Sequence, residues 1–206
     1  MKFPLSVLSR GSISRKITAA VLGGATALAL LAGCSHVPIT SVPALAAIDF
    51  QTTEFGALRA AIEMPAALVP KIDGVRLNVR LTIEGAVAEE RSYALVGQDL
   101  TSVQTDLPQA DGDRHTFIYA LSPDDQRGMD AIRRAVEVAK ANQQSGSLSV
   151  SVSVDEMCVA GDLPDGPLRV DVFLKTSETN RFVRTLDGFD LREISTDGLD
   201  EELPTC

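Results

Sequence analysis

The residues able to do chemistry in this 206-residue chain are few: three cysteines at 34, 158 and 206, two histidines at 36 and 115, and 28 acids. His36 stands in an uncharged stretch with two prolines and reads as a solvated residue, not a metal ligand. His115 stands alone at the start of a short strand. No serine has a nucleophile-elbow setting, since Gly146-Ser147 lacks the second flanking glycine that motif needs. Cys158 has two imidazoles to choose from and neither is near it in sequence. No CxxC, HExxH or glycine-rich phosphate loop is present. The acidic groups Asp111/Asp113, Asp155/Glu156 with Asp162, and Asp197, Asp200, Glu201 and Glu202 could hold calcium. None has the ligand and glycine spacing of an EF-hand, so each reads as a solvated face or tail. Tryptophan is absent and aromatics are few, which weakens a sugar-stacking site. The expectation is a protein that is not an enzyme and holds neither cofactor nor metal.

The position of Cys34 is more telling than its chemistry. A basic segment without acids (Lys2, Arg10, Arg15, Lys16) precedes an apolar or small stretch, Ile17 to Gly33, broken only by Thr18 and Thr26. Basic flank, apolar core and small residues before a cut describe an export signal. The stretch ends Leu31-Ala32-Gly33-Cys34, a tetrad that resembles the lipobox of bacterial lipoproteins. The resemblance covers about the first 35 residues. It implies that Cys34 carries a diacylglycerol thioether and becomes the first residue of the mature protein. The alternative is an uncleaved membrane helix, but 17 residues is the lower edge of a span, and Gly23, Gly24 and several alanines weaken it. In lipoproteins of this type an aspartate after the cysteine often retains the protein at the inner membrane. Ser35 therefore implies onward sorting, to the periplasmic face of the outer membrane.

With residues 1–33 removed, 173 remain, enough for one ordinary domain that buries about 70% of its unfolded surface. The removed segment holds four of the 19 basic residues and no acid, so the remainder carries 15 bases against 28 acids, a formal charge of −13. Such a balance argues against a nucleic-acid partner, which needs clustered Lys and Arg for phosphate. It argues equally against electrostatic docking on anionic lipid. Membrane attachment falls to the N-terminal acyl chains, and two or three chains anchor stably where one does not. If lipid takes Cys34, Cys158 and Cys206 are left in an oxidising compartment and are expected to pair; two free buried thiols are the alternative.

Residues 34–47 have two prolines, no charge and no clean period, and read as an extended tether. A single β-rich envelope domain is expected over 48–206. Leu58, Ala60, Ile62 and Met64 alternate with Arg59, Ala61 and Glu63, although the alanines leave helix open. Val75 to Ile83 alternates cleanly over the pairs Val75/Arg76 to Ile83/Glu84. Gly85 starts a turn, and Arg91 to Val96 is the expected hairpin return. Pro108 and Asp111-Gly112-Asp113 mark a loop, and His115 to Leu121 a further strand. Ser122-Pro123-Asp124-Asp125 then supplies an N-cap, proline at the first helical position and acids at the positive end of the dipole. Met129, Ile132, Val136 and Ala139 form one face of the only amphipathic helix, over about 122–144, with its end expected at Gln144 to Ser147 around Gly146.

Leu148, Val150, Val152 and Val154 alternate with a row of serines at 147, 149, 151 and 153. The serine face suits a contact surface or, more blandly, a face packed beneath a loop. The alternation fails at Asp155-Glu156, where a bulge or strand end is expected. Leu168 to Leu174 is the next strand, with Phe173 on the opposite face. Asp187-Gly188 suggests a last hairpin within Phe182 to Ile194. The acidic tail, Asp197 to Cys206, is expected to fray unless Cys206 pins it.

Short strands, one helix and turns every eight to fifteen residues predict a mainly β fold: an antiparallel β-sandwich or an α+β sheet. The function that follows is a lipid-anchored, non-enzymatic envelope protein with an envelope protein partner, met through sheet faces or edges. A small-ligand or glycan-binding lipoprotein is the alternative, and an unrecognised hydrolase the third.

Overall fold

The structure, a computed structural model, describes residues 37–99, 107, 110, 112–194 and 203–206, together with the backbone of a strand at 5–7. Cys34, Ser35, His36 and the export-signal residues 8–33 lie outside the described residues, as do Asp111, Asp197, Asp200, Glu201 and Glu202. In chain order the strands are β1 (Leu5–Val7), β2 (Arg59–Pro65), β3 (Leu68–Pro70), β4 (Val75–Ile83), β5 (Ala86–Ala94), β6 (Val96–Gln98), β7 (Arg114–Ala120), β8 (Gly146–Val154), β9 (Met157–Val159), β10 (Arg169–Lys175) and β11 (Val183–Asp190). The helices are α1 (Val42–Ala46) and α2 (Pro123–Ala141), with short 3-10 turns at Ile39–Ser41, Phe55–Ala57 and Leu191–Glu193. All the strand pairs are antiparallel. A first sheet runs β1-β8-β4-β5, a second β11-β10-β2-β7-β6, and β3-β9 forms a small ribbon.

The inner faces of the two large sheets meet in one core. Leu77 and Val79 of β4 and Val152 and Val154 of β8 join Ala60, Ile62 and Met64 of β2 and Val170 and Val172 of β10 in a single buried cluster. Met129 and Ile132 of α2 complete it. The fold is thus mainly β, two antiparallel sheets sharing one core with α2, consistent with the expected β-sandwich or α+β sheet. Burial lifts the Tyr119 hydroxyl in this core to about 12. A buried phenol favours the neutral form because the phenolate loses hydration.

Local chemistry explains the element boundaries. Ser122 Oγ accepts the Asp125 backbone N–H at 3.1 Å and opens α2. The four residues expected on the apolar face, Met129, Ile132, Val136 and Ala139, are its buried residues. Gly128 lies where Tyr93 crosses: a Cβ there would stand 2.8 Å from the Tyr93 hydroxyl oxygen. That hydroxyl is buried without a hydrogen-bond partner, and burial raises its pKa, with Arg91 opposing. The helix end differs from the expectation. Gln143 takes the left-handed backbone (φ 57°) and ends it, while Gly146 is already the first residue of β8. A polar side chain tolerates that conformation at a helix exit, so glycine was not required.

Three further expectations are corrected. The tether is not extended throughout: Ile39–Ser41 and Val42–Ala46 are helical turns, with Pro43 in the first turn of α1, and Ser41 is buried. The hairpin return after Gly85 starts earlier than Arg91, because Glu84 (φ 49°) and Gly85 (φ 81°) form a two-residue turn that pairs Ile83 with Ala86. Residues 86–90 run Ala-Val-Ala-Glu-Glu, three apolar residues then two acids, and so show no period-two alternation. Finally, Asp187-Gly188 makes no hairpin. Both lie within β11, where Val170 opposite Phe189 and Val172 opposite Leu186 leave two residues facing Asp171 alone. Gly188 has the positive φ (60°) of a bulge, and its N–H donates to Asp171 Oδ1 at 2.8 Å. A turn and a bulge both need such a residue, so Asp-Gly could not tell them apart.

Candidate functional site

The two sheets treat their outer faces differently. On the first sheet the register sets Arg76, Asn78 and Arg80 of β4 opposite Ser153, Ser151 and Ser149 of β8, and opposite Ala94, Ser92 and Glu90 of β5. Strict alternation sends all these side chains away from the core. All of them but Ala94 line an open trough of about 750 Å³ whose lining residues, among the described ones, come from these three strands and Asp155. Among the described residues no aromatic ring lines it.

The trough floor is a hydrogen-bonded lattice. Asn78 Nδ2 donates to Ser153 Oγ at 2.9 Å, and Ser92 Oγ donates to Asn78 Oδ1 at 2.7 Å. Arg76 Nε donates to Ser92 Oγ at 2.7 Å, and Arg80 Nη2 pairs with Glu90 Oε1 at 2.5 Å. Arg76 also stands 4.0 Å from Asp155, whose Oδ1 is buried and unpartnered. Cations and anions are therefore interleaved. The surface can exchange hydrogen bonds with a polar partner.

The second sheet's outer face is closed. Ala61, Ile118, Phe173 and Phe182 form a separate apolar cluster against which Leu107 packs. Beside it Arg114 bridges two acids: Nη2 to Asp171 Oδ2 at 2.6 Å, and Nε to Glu63 Oε1 at 2.9 Å. Arg184 adds a contact to Asp187 at 2.6 Å and stacks over the Phe173 ring at 5.1 Å. Glu63 and Asp171 are buried, so this is a tie between β7, β2, β10 and β11. Sequence reading placed Glu63 on a polar face and gave Asp171 no role; a single-strand period carries no sign of what a neighbouring strand presents.

The entry to the domain is fastened from two sides. Arg133 of α2 donates to the Phe50 carbonyl at 3.1 Å and to the Thr53 carbonyl, and its guanidinium lies over the Phe55 ring at 4.3 Å. Thr53 Oγ1 donates to Glu178 Oε1 at 2.8 Å. Burial works to raise the Glu178 carboxyl, but hydroxyls of Thr176, Thr53 and Ser177 and its own backbone N–H outweigh that and hold it below its ordinary value.

Of the residues singled out by sequence, Cys158 and Cys206 are brought together as a disulfide, with Cα atoms 5.0 Å apart. Cys158 sits in β9, because the break at Asp155-Glu156 ends β8 and a separate strand that pairs with β3 follows. The tail is held by backbone as well: the Val159 N–H donates to the Pro204 carbonyl at 2.9 Å, and the Cys206 N–H to the Val159 carbonyl at 3.0 Å. His115 is exposed on β7, edge-on to Phe117 at 6.4 Å between ring centroids. Among the described residues no three His, Cys, Asp or Glu side chains gather as a metal site. No protein-family model, no curated protein and no solved structure matches this chain.

Proposed function

We propose that the chain is a lipid-anchored cell-envelope protein, attached through Cys34, that works by non-covalent contact with another envelope component. The observation that carries the contact half of this reading is the unequal treatment of the two outer faces. One is closed by an apolar cluster and a buried ion tie; the other presents a polar trough built from three strands. The anchor half rests on the lipobox-like Leu31-Ala32-Gly33-Cys34.

The short tether refines the picture. Ser41 is already buried against the domain, so five residue steps separate Cys34 from the first helical turn at Ile39. At full extension that is at most about 18 Å. An acylated Cys34 would therefore hold the domain close to the bilayer surface, and a partner would be met there.

A second reading, a small polar ligand or glycan held in the trough, is supported by the trough's size, which falls in the range of ligand sites. No aromatic ring among the described lining residues offers the usual stacking platform, which sets this reading second.

Two measurements on one preparation test the proposal. Mass spectrometry of the membrane fraction is expected to find acylated Cys34 as the N-terminus; an unmodified Cys34 would overturn the anchor. Crosslinking in intact cells is expected to capture a protein adduct that the double substitution Arg76→Ala/Asn78→Ala removes. An adduct indifferent to that pair would overturn the role of the trough.

A further inference from the structure

With the three-residue β1 set aside, the margins of the two large sheets among the described residues are β8, β5, β11 and β6, and all but β8 carry features that discourage pairing with another chain. β5 has Glu89, Glu90 and Arg91 and a break in register opposite Leu81 and Thr82. β11 has Arg184, Asp187 and two register shifts. β6 is three residues long. Charges, bulges and shortness are the usual means of blunting an exposed edge. β8 has none of them. Its nine residues, Gly146 to Val154, contain no charge and no proline, and they pair with β4 from Val75 to Ile83 without a shift.

The far edge of β8 is occupied in this structure by the chain's own residues 5–7. Leu5 pairs with Val152, Ser6 with Ser151 and Val7 with Val150. That segment lies within the export signal, so under the anchoring reading above, on which this inference rests, processing before Cys34 takes β1 away. The mature protein would then present a long, uncharged, unshifted edge.

The occupant of that edge has a sequence that β8 itself repeats. Leu5-Ser6-Val7 is apolar–serine–apolar, and so is Val150-Ser151-Val152. β1 runs antiparallel, centred on Ser151. A second β8 in the same register would set Ser151 opposite the partner's Ser151 and Val150 opposite the partner's Val152. Ser149 would face the partner's Ser153, and Leu148 the partner's Val154. Serine meets serine and apolar meets apolar at every position, as a two-fold axis through Ser151 requires. The ladder would lengthen from three residues to seven.

We infer that the mature protein forms a symmetric dimer by antiparallel pairing of β8 with β8 of a second copy, and that residues 5–7 cover this edge in the precursor. The two first sheets then join as one, β5-β4-β8-β8-β4-β5, and the two troughs lie side by side on one face of it. Main-chain hydrogen bonds supply the affinity and the matched pattern the register.

The test uses the full chain expressed in an export-competent bacterium, with Ser151→Cys and Ser147→Cys as single added thiols. Opposed residues in an antiparallel pair have Cα atoms about 4.5–5.5 Å apart. Because a disulfide forms only where they lie within about 7 Å, the processed Ser151→Cys protein is expected to crosslink to itself at least about tenfold more than Ser147→Cys. Ser151→Lys sets like charges face to face; it is expected to keep the folded far-UV circular dichroism spectrum and abolish the dimer seen by sedimentation velocity. Equal crosslinking of the two cysteine variants, a wild-type monomer across a dilution series, or a crosslink to a different protein would each overturn the inference. Intact mass of the same sample separates this from the anchoring reading. If residues 1–33 remain attached, that reading falls. The edge is then tested in the full chain carrying Ser6→Pro, which cannot keep the β1 ladder; a Ser151→Cys crosslink remains the expected result and its absence the overturning one.

Discussion

The outer faces of the two sheets both carry arginine–carboxylate pairs, yet one face behaves as core and the other as surface. On the second sheet Arg114 is tied to Glu63 and Asp171, and the neighbouring Ala61, Ile118, Phe173 and Phe182 are buried. On the first, Arg80 and Glu90 pair at a comparable distance, but their side chains are 56% and 57% exposed. The distances are alike and the solvent is not. An exposed pair competes with water and contributes little, whereas a buried charge that loses its partner is left without hydration. The second sheet's outer face is fastened by buried charges and an apolar cluster, while the first sheet's charged pair stays open to solvent.

The largest expected effect falls on the fastened side. The Cys158–Cys206 bridge closes a loop that carries β10 and β11 of the second sheet together with the tail. The chain-entropy estimate for a loop of this length is about 4 kcal/mol, less any strain. Cys158→Ala/Cys206→Ala is expected to lower unfolding stability by about that amount in urea titration. A loss under about 1 kcal/mol would mean that the sheet is held without the bridge.

Next comes the ion tie. Arg114→Ala leaves Glu63 and Asp171 facing each other in a site with little solvent, and about 3 kcal/mol of destabilisation is expected. Replacing Arg114 by Met, which keeps the packing, tells whether charge or volume carries the loss. A near-neutral Arg114→Ala in thermal or chemical denaturation would break the comparison, for the second face would then be no more core-like than the first.

The smallest effect is expected in the trough. Arg80→Ala removes a pair that is more than half exposed, and a change within about 1 kcal/mol follows. Should it cost as much as Arg114→Ala, the trough would be a structural element and not a free surface.

Much of the framework was legible because its signals are local. Period two over Val75–Ile83 and Leu148–Val154 reports which face is buried without reference to any partner strand. The Ser122-Pro123-Asp124-Asp125 start and the Met129/Ile132/Val136/Ala139 stripe report α2 in the same way. Signals that serve two structures misled: Asp187-Gly188 fits a turn or a bulge, and the prolines at 38 and 43 fit an extended tether or a helix start.

What the sequence determined by itself is therefore the strands β2, β4, β7, β8 and β10, the one long helix and its buried face, and the pairing of Cys158 with Cys206. Each follows from a property of one segment, or from two cysteines being left over. The tertiary structure alone decided that β8 lies between β4 and the chain's own residues 5–7, that Arg114 reaches two acids from other strands, and that the serine row faces Arg76, Asn78 and Arg80. Those facts depend on strand order and register, which long-range packing selects after the local periods are satisfied. A strand's alternation says which of its faces is buried; its neighbours are chosen by the whole sandwich.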